Sequence, residues 1–158
     1  MTYVKGIEHI GIAVDDLEAV AQFFVDLGLE RVAEASSIEG EWIDTVTGLH
    51  GARSDVAFLR TADGTGTLEL GKFHEPVAEQ GPEPSAPNRP GIRHLAFRVE
   101  DLDGLLGVLR SKGIETVGGV ADYGSFFRLC YVRGPEGLIV ELAERIGPAE
   151  TLLATLVN

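Results

Sequence analysis

The sequence is poor in cysteine, in long apolar runs and in basic residues. These scarcities argue against an intrachain disulfide, a membrane span and a nucleic-acid partner, respectively. Its single cysteine, Cys130, cannot form a disulfide within the chain, and its apolar neighbours predict a buried thiol. No apolar run approaches the roughly 20 residues that span a bilayer, and residues 1–6 lack the apolar core of a signal peptide. We therefore expect a cytoplasmic protein that does not engage a membrane.

Basic residues are outnumbered by acidic ones, 13 against 25, and the net charge is -12. The resulting field repels polyanions, so we expect no nucleic acid as a partner. The same field disfavours an anionic small molecule unless basic side chains line its pocket. Hydrophobic residues make up 44% of the chain and charged residues 24%, which is typical of a folded globular protein.

The chain does contain a repeat of about eleven residues. Residues 7–17 read IEHIGIAVDDL, and residues 92–102 read IRHLAFRVEDL. In both copies apolar residues alternate as on a β-strand, and His9 and His94 occupy equivalent positions on the opposite strand face. Two copies of one unit, each with a histidine on the same face, indicate a site built by pseudo-symmetry.

The elements that follow each copy occur in the same order. In the first half we predict a strand at 5–14, a helix at 17–27, a strand at 29–38, a short helix or a lid at 40–51, and strands at 54–61 and 67–73. In the second half we predict a strand at 91–100, a helix at 102–112, and strands at 114–120, 126–132 and 138–144. Both halves read βαβββ, so we predict an α+β protein of two tandem modules.

Prolines mark the boundary between the halves, since five of the seven lie in residues 75–90. The predicted organisation is a first module at 1–74, a Pro-rich linker at 75–90, a second module at 91–145 and a C-terminal helical tail at 146–158.

The last strand of each half carries a glutamate between apolar neighbours, Glu69 and Glu141. A carboxylate in a dry core is costly, so each needs a partner or an open face. Taken singly, a strand glutamate usually faces solvent and a strand histidine is usually a core or surface residue. Four at matched positions favour a metal site, since imidazole nitrogen and carboxylate oxygen suit a divalent first-row metal. His50 and His74 have no such counterpart and are predicted to be loop or surface residues.

With these motifs, the sequence resembles the vicinal oxygen chelate superfamily, which includes glyoxalase I, methylmalonyl-CoA epimerase, extradiol dioxygenases, fosfomycin-resistance enzymes and bleomycin-resistance proteins. The resemblance covers about residues 5–145 and rests on HIGIAVDDL, LEL, RHLAFRVEDL and GPEGLIVEL. It implies a cupped mixed sheet with helices outside, a homodimer, and one divalent metal ion per site (Ni, Co, Zn, Mn or Fe). The implied ligands are His9, Glu69, His94 and Glu141. This set is most similar to that of bacterial glyoxalase I, whereas the epimerases usually have Gln in place of Glu69.

The implied reaction is that of a metal-dependent lyase or isomerase, with proton transfer at a carbon next to a carbonyl via a metal-bound enediolate. Glu141 or Glu69 would be the general base, with Glu141 preferred. Arg98 and Arg128 are candidates to bind a carboxylate or phosphate of the small-molecule substrate; alternatively, they pair with surface acids.

Two other functions fit the same fold. One is a non-catalytic protein that binds and sequesters a drug or another small molecule. The other is an Fe(II) extradiol-type dioxygenase that uses three of the four candidate ligands.

Overall fold

The structure, a computed structural model, describes residues 3–4, 6–78, 86–88 and 90–148. The chain divides into two compact units, Met1–Pro82 and Glu83–Asn158, and this division falls inside the predicted linker. None of the helices in the described ranges is long and apolar enough to cross a membrane. Half of the predicted linker and most of the predicted C-terminal helical tail lie outside the described residues.

The first unit is a five-stranded sheet with two helices. Its elements are β1 Ile10–Ala13, α1 Leu17–Asp26, β2 Glu30–Arg31, β3 Ser36–Glu39, α2 Glu41–Thr47, β4 Arg53–Arg60 and β5 Thr67–Glu75. The sheet order is β1-β5-β4-β2, and β3 also pairs with β4. Asp16 caps α1 by accepting a hydrogen bond from the Ala19 N–H at 3.0 Å. Helix α1 buries Val20 and Phe24, and β4 and β5 bury Leu59 and Leu70.

The second unit repeats this plan with four strands. Its elements are β6 Leu95–Val99, α3 Leu102–Ser111, β7 Ala121–Tyr123, β8 Phe127–Arg133, a 3-10 turn at Pro135–Gly137 and β9 Ile139–Arg145. The sheet order is β6-β9-β8-β7. Asp101 caps α3 by accepting a hydrogen bond from the Gly104 N–H at 3.0 Å. In both units the first and last strands are parallel neighbours, so the predicted α+β fold of two repeated modules is confirmed.

The third element of each module differs from its prediction. Two short strands, β2 and β3, replace the single strand predicted at 29–38. Arg31 of β2 pairs with Leu59 of β4, and Ser36 of β3 pairs with Val56 of β4. The chain therefore advances five residues here while β4 advances three. The second module does the same: Thr116 bridges Val132, and Ala121 pairs with Leu129. A bulge of two residues therefore breaks the strand at the same place in both copies, and the predicted strand at 114–120 is reduced to a bridge followed by β7.

Two further boundaries were resolved by the structure. The ambiguous stretch at 40–51 contains the short helix α2, which is one of its two predicted alternatives. Strands β1 and β6 are shorter than predicted, and His9 and His94 each immediately precede the first paired residue. The two histidines thus keep equivalent positions in the repeat.

Gly147 is a position in the second unit where a side chain has no room. A Cβ there would clash with the Ser125 carbonyl oxygen and lie 3.0 Å from Phe126 Cα, whereas a Cβ on Gly107 in α3 would meet nothing within 4 Å. We expect Gly147→Ala to destabilise the protein by about 1–3 kcal/mol. Gly107→Ala should stabilise it by about 0.5–1 kcal/mol, because alanine is the better helix former. Denaturant unfolding measures both; a Gly147→Ala protein as stable as the wild type would contradict the close approach.

Candidate functional site

In the first unit, a histidine and a glutamate face each other across neighbouring strands. The parallel register sets Gly11 opposite Glu69, and His9 lies two residues before Gly11 and so on the same face. The His9 Nε2 atom is 3.8 Å from Glu69 Oε2. Because Gly11 has no side chain, the strand surface beside Glu69 is open.

The second unit holds the equivalent pair in the equivalent register. Ala96 lies opposite Glu141, with His94 two residues before it. The His94 Nε2 atom is 3.3 Å from Glu141 Oε2. Each unit therefore brings together one predicted imidazole and one predicted carboxylate beside a small residue.

An aromatic side chain completes each pair. Phe58 on β4 lies opposite Glu69, and its ring centroid is 6.3 Å from that of His9 at an interplanar angle of 89°. Tyr131 on β8 lies opposite Glu141, and its ring centroid is 5.0 Å from that of His94 at 33°. The sequence analysis missed both aromatics. Their strand face could be read from alternation with buried neighbours, but their partners depend on the strand register.

The two carboxylates differ in their surroundings. The Glu141 side chain is 10% exposed and that of Glu69 is 33% exposed. Tyr131 lies opposite Glu141, and burial, followed by the Glu141 charge, raises the pKa of Tyr131. The side chain opposite Glu69, Phe58, carries no hydroxyl.

The donor atoms of each pair suit a divalent metal. Separations of 3.8 and 3.3 Å exceed the roughly 2.7–3.2 Å of a good N–H···O hydrogen bond. The 3.3 Å separation falls within the roughly 3.0–3.4 Å between two ligands that each lie about 2.1 Å from one ion, and the 3.8 Å separation is longer than that range. The described residues of the chain contain no group of three or more His, Cys, Asp or Glu side chains that could hold a metal ion. The four-ligand site requires both pairs and stays a prediction.

The two candidate substrate-binding arginines lie on opposite faces of the second sheet. Arg98 is exposed and lies two residues beyond Ala96, on the face of His94. Arg128 shares its face with Cys130, and its guanidinium donates to both Asp103 oxygens at 2.9 and 3.0 Å. It also contacts Glu144 at 3.3 Å. The placement of Arg128 favours the alternative in which it pairs with neighbouring acids.

The remaining predicted side chains have ordinary surroundings. His74 lies 2.7 Å from Asp55, and the hydrogen bonds from Ser37 and then His74 lower the pKa of Asp55. His50 is exposed. Cys130 is buried as predicted, and burial raises the pKa of its thiol.

The sequence matches a known protein family over a range that includes both copies of the repeat. Residues 6–142 match the family described as the Glyoxalase/Bleomycin resistance protein/Dioxygenase superfamily. The uncharacterized protein YwkD of Bacillus subtilis (strain 168) is 30% identical over 143 residues, which cover 90% of this chain and 98% of YwkD.

Solved structures share the fold. A glyoxalase family protein from Bacillus cereus superposes with a TM-score of 0.86 at 34% identity, covering 93% of this chain and 99% of that one. A mutant of the fosfomycin resistance protein FosX from Listeria monocytogenes, complexed with Mn(II) and 1S,2S-dihydroxypropylphosphonic acid, superposes with a TM-score of 0.61. It is 17% identical, with 97% of this chain and 98% of FosX covered, and shows likeness of fold alone. Since the family match covers most of the sequence, the chain belongs to the glyoxalase/bleomycin resistance protein/dioxygenase superfamily, as its motifs predicted.

Proposed function

We propose that the protein is a metal-dependent lyase or isomerase of the glyoxalase I/epimerase type, acting on a small molecule with a proton on the carbon next to a carbonyl. The observation that carries this proposal is the matched arrangement of the two units. Each has an imidazole and a carboxylate facing each other on one side of its first and last strands, at 3.8 Å in one unit and 3.3 Å in the other.

The four side chains of these pairs, His9, Glu69, His94 and Glu141, would hold one divalent ion chosen from Ni, Co, Zn, Mn and Fe. The Mn(II) of the FosX complex supports a divalent metal in this fold. When bound, the ion supplies a Lewis acid for the charge that develops on two neighbouring substrate oxygens.

The protein's own part in the reaction is proton transfer. A glutamate carboxylate takes the proton as the C–H bond breaks, and the electron pair of that bond moves towards the carbonyl oxygen to give an enediolate. Return of the proton to the neighbouring carbon, with the hydroxyl proton passing from one substrate oxygen to the other, completes the isomerisation. A positioned base of this kind typically contributes about 10²- to 10⁴-fold.

Arg98 would bind the anionic part of the substrate. Arg98 lies two residues beyond Ala96, which pairs with Glu141, so the backbone of Arg98 is about 7 Å along the strand from that pair. A guanidinium at that distance suits a carboxylate or phosphate attached to the reacting carbons. It would also offset locally the repulsion from the net charge of -12.

Metal analysis of protein purified without chelator tests the proposal. We expect one tightly bound divalent ion per four-ligand site, and metal-dependent turnover of methylglyoxal–glutathione hemithioacetal or methylmalonyl-CoA. Protein that binds small molecules but no metal would indicate a sequestering function. Oxygen uptake with a catechol after Fe(II) loading would indicate a dioxygenase. We also propose a homodimer, for which sedimentation should give twice the chain mass.

A further inference from the structure

The sheet face of the second unit that holds His94 and Glu141 is rich in arginine. Because side chains alternate along a strand, the register assigns every second residue of β6, β8 and β9 to this face. The charged residues at these paired positions are three arginines and one glutamate: Arg98, Arg133, Arg145 and Glu141. This face is therefore basic, although the chain as a whole has a net charge of -12.

The acids of the same sheet lie on its other face. Glu144 and Asp122 are both in register with Arg128, and Arg128 pairs with each of them and with Asp103 of helix α3. The charges of these acids are offset by Arg128. They do not neutralise the arginines on the face of His94.

The first unit is apolar at two positions where the second is basic. Two residues beyond the small residue that faces the glutamate, the first unit has Ala13 and the second has Arg98. Four residues beyond the glutamate, the first unit has Phe73 and the second has Arg145. The repeated fold forms with either kind of residue, so the two arginines indicate a function that belongs to the second unit.

These two arginines are close enough to bind one anion. Arg98 pairs with Ala143, and Arg145 follows Ala143 by two residues on the same strand face. Neighbouring strands lie about 4.8 Å apart and two residues advance about 7 Å, so the two Cα atoms are roughly 8 Å apart. Both arginines are exposed, and the side chain of Ala143 is too short to separate them. Two guanidinium groups at this spacing repel each other, and an anion between them removes the repulsion.

We propose that Arg98 and Arg145 together bind a doubly charged oxyanion of the phosphate type, and that the substrate carries such a group. This inference rests on the proposed function, whose substrate class it names, and it adds Arg145 as a specificity-determining residue. The planar fork of arginine matches the oxygens of a phosphate, and two guanidinium groups balance its two charges. A single carboxylate would balance only one of them.

The position of the two arginines sets the form of the substrate. Along the strands, Arg98 is about 7 Å and Arg145 about 13 Å from the row of Glu141. The phosphate therefore binds several bonds away from the carbons that react beside Glu141. The substrate class is a carbonyl compound that carries its phosphate at the end remote from the reacting carbons.

Calorimetric titration of the metal-free protein with inorganic phosphate tests the site, at constant ionic strength and at a pH where phosphate is doubly charged. We expect one phosphate per chain. Arg145→Gln should weaken its binding about tenfold or more, because a charged hydrogen-bond donor is lost. Acetate, a monoanion, should bind the wild type about tenfold more weakly than phosphate does.

Arg60→Gln is the matched control variant. Arg60 lies on the equivalent face of the first unit, two residues beyond Phe58, and pairs with Glu30 at 3.8 Å. This variant should keep the wild-type affinity for phosphate. Equal losses in Arg60→Gln and Arg145→Gln would overturn the inference, and so would wild-type affinity in Arg145→Gln or equal binding of acetate and phosphate.

The titration uses no metal, so its result is separate from the proposed function. A protein that binds phosphate through Arg145 but binds no divalent ion would overturn the proposed function and leave the anion site standing. A protein with metal-dependent turnover but no phosphate binding would overturn this inference alone. In the metal-loaded enzyme, Arg145→Gln should raise KM about tenfold and leave kcat unchanged, because Arg145 binds a part of the substrate that does not react.

Discussion

Glu141→Gln is expected to lower kcat by about 10²- to 10⁴-fold when the site is saturated with metal. Glutamine keeps a carbonyl oxygen in the same place but cannot accept the substrate proton. Metal affinity should fall less than turnover, because one of four ligands is weakened and not removed. Steady-state kinetics at saturating Mn(II), beside calorimetric titration of the ion, give the two effects separately.

Glu69→Gln is the matched variant for that experiment. We expect its main effect on metal affinity, since Glu69 is the second carboxylate of the proposed ligand set and Glu141 is the preferred base. If Glu69→Gln instead lost kcat at full metal occupancy while Glu141→Gln kept it, Glu69 would be the base.

His94→Ala should remove both tight metal binding and turnover. The change deletes one ligand of the proposed set and leaves Glu141, whose side chain is 10% exposed, without its facing imidazole. The loss of metal affinity should exceed the roughly 10- to 100-fold typical of outer-shell substitutions. His9→Ala should behave in the same way, because His9 occupies the matched position in the first unit.

His50→Ala is the control for both histidine variants. His50 is exposed, and it interacts electrostatically with Asp44, which belongs to neither His–Glu pair. It should keep wild-type metal content and kcat. Wild-type metal affinity in His94→Ala would contradict the four-ligand site. Equal losses in all three variants would point to unfolding, which circular dichroism detects.

Much of the fold was predictable because its signals are local. The alternation around His9 and His94 indicated which strand face they share, and the helices predicted at 17–27 and 102–112 are observed at Leu17–Asp26 and Leu102–Ser111. The repeat supplied the rest: two matched copies predict two matched modules, and the parallel pairing of first and last strands confirms them.

What could not be predicted depends on contacts between distant parts of the chain. The two-residue bulge between Arg31 and Ser36 is defined only against its partner strand. Pairing of Arg128 with acids was one of its two predicted alternatives, but the partner Asp103 comes from the start of helix α3 and could not be named in advance. The position of Tyr131 opposite Glu141 follows only from the register of β8 and β9.

The parallel pairing of first and last strands also governs when the ligand pairs can form during folding. His9 and Glu69 are 60 positions apart in the chain, and His94 and Glu141 are 47 apart. A whole module must close as a loop before either pair exists, and such long-range contacts form slowly. Metal affinity should therefore appear after hydrophobic collapse. Binding of an ion added during refolding would measure when the modules are complete.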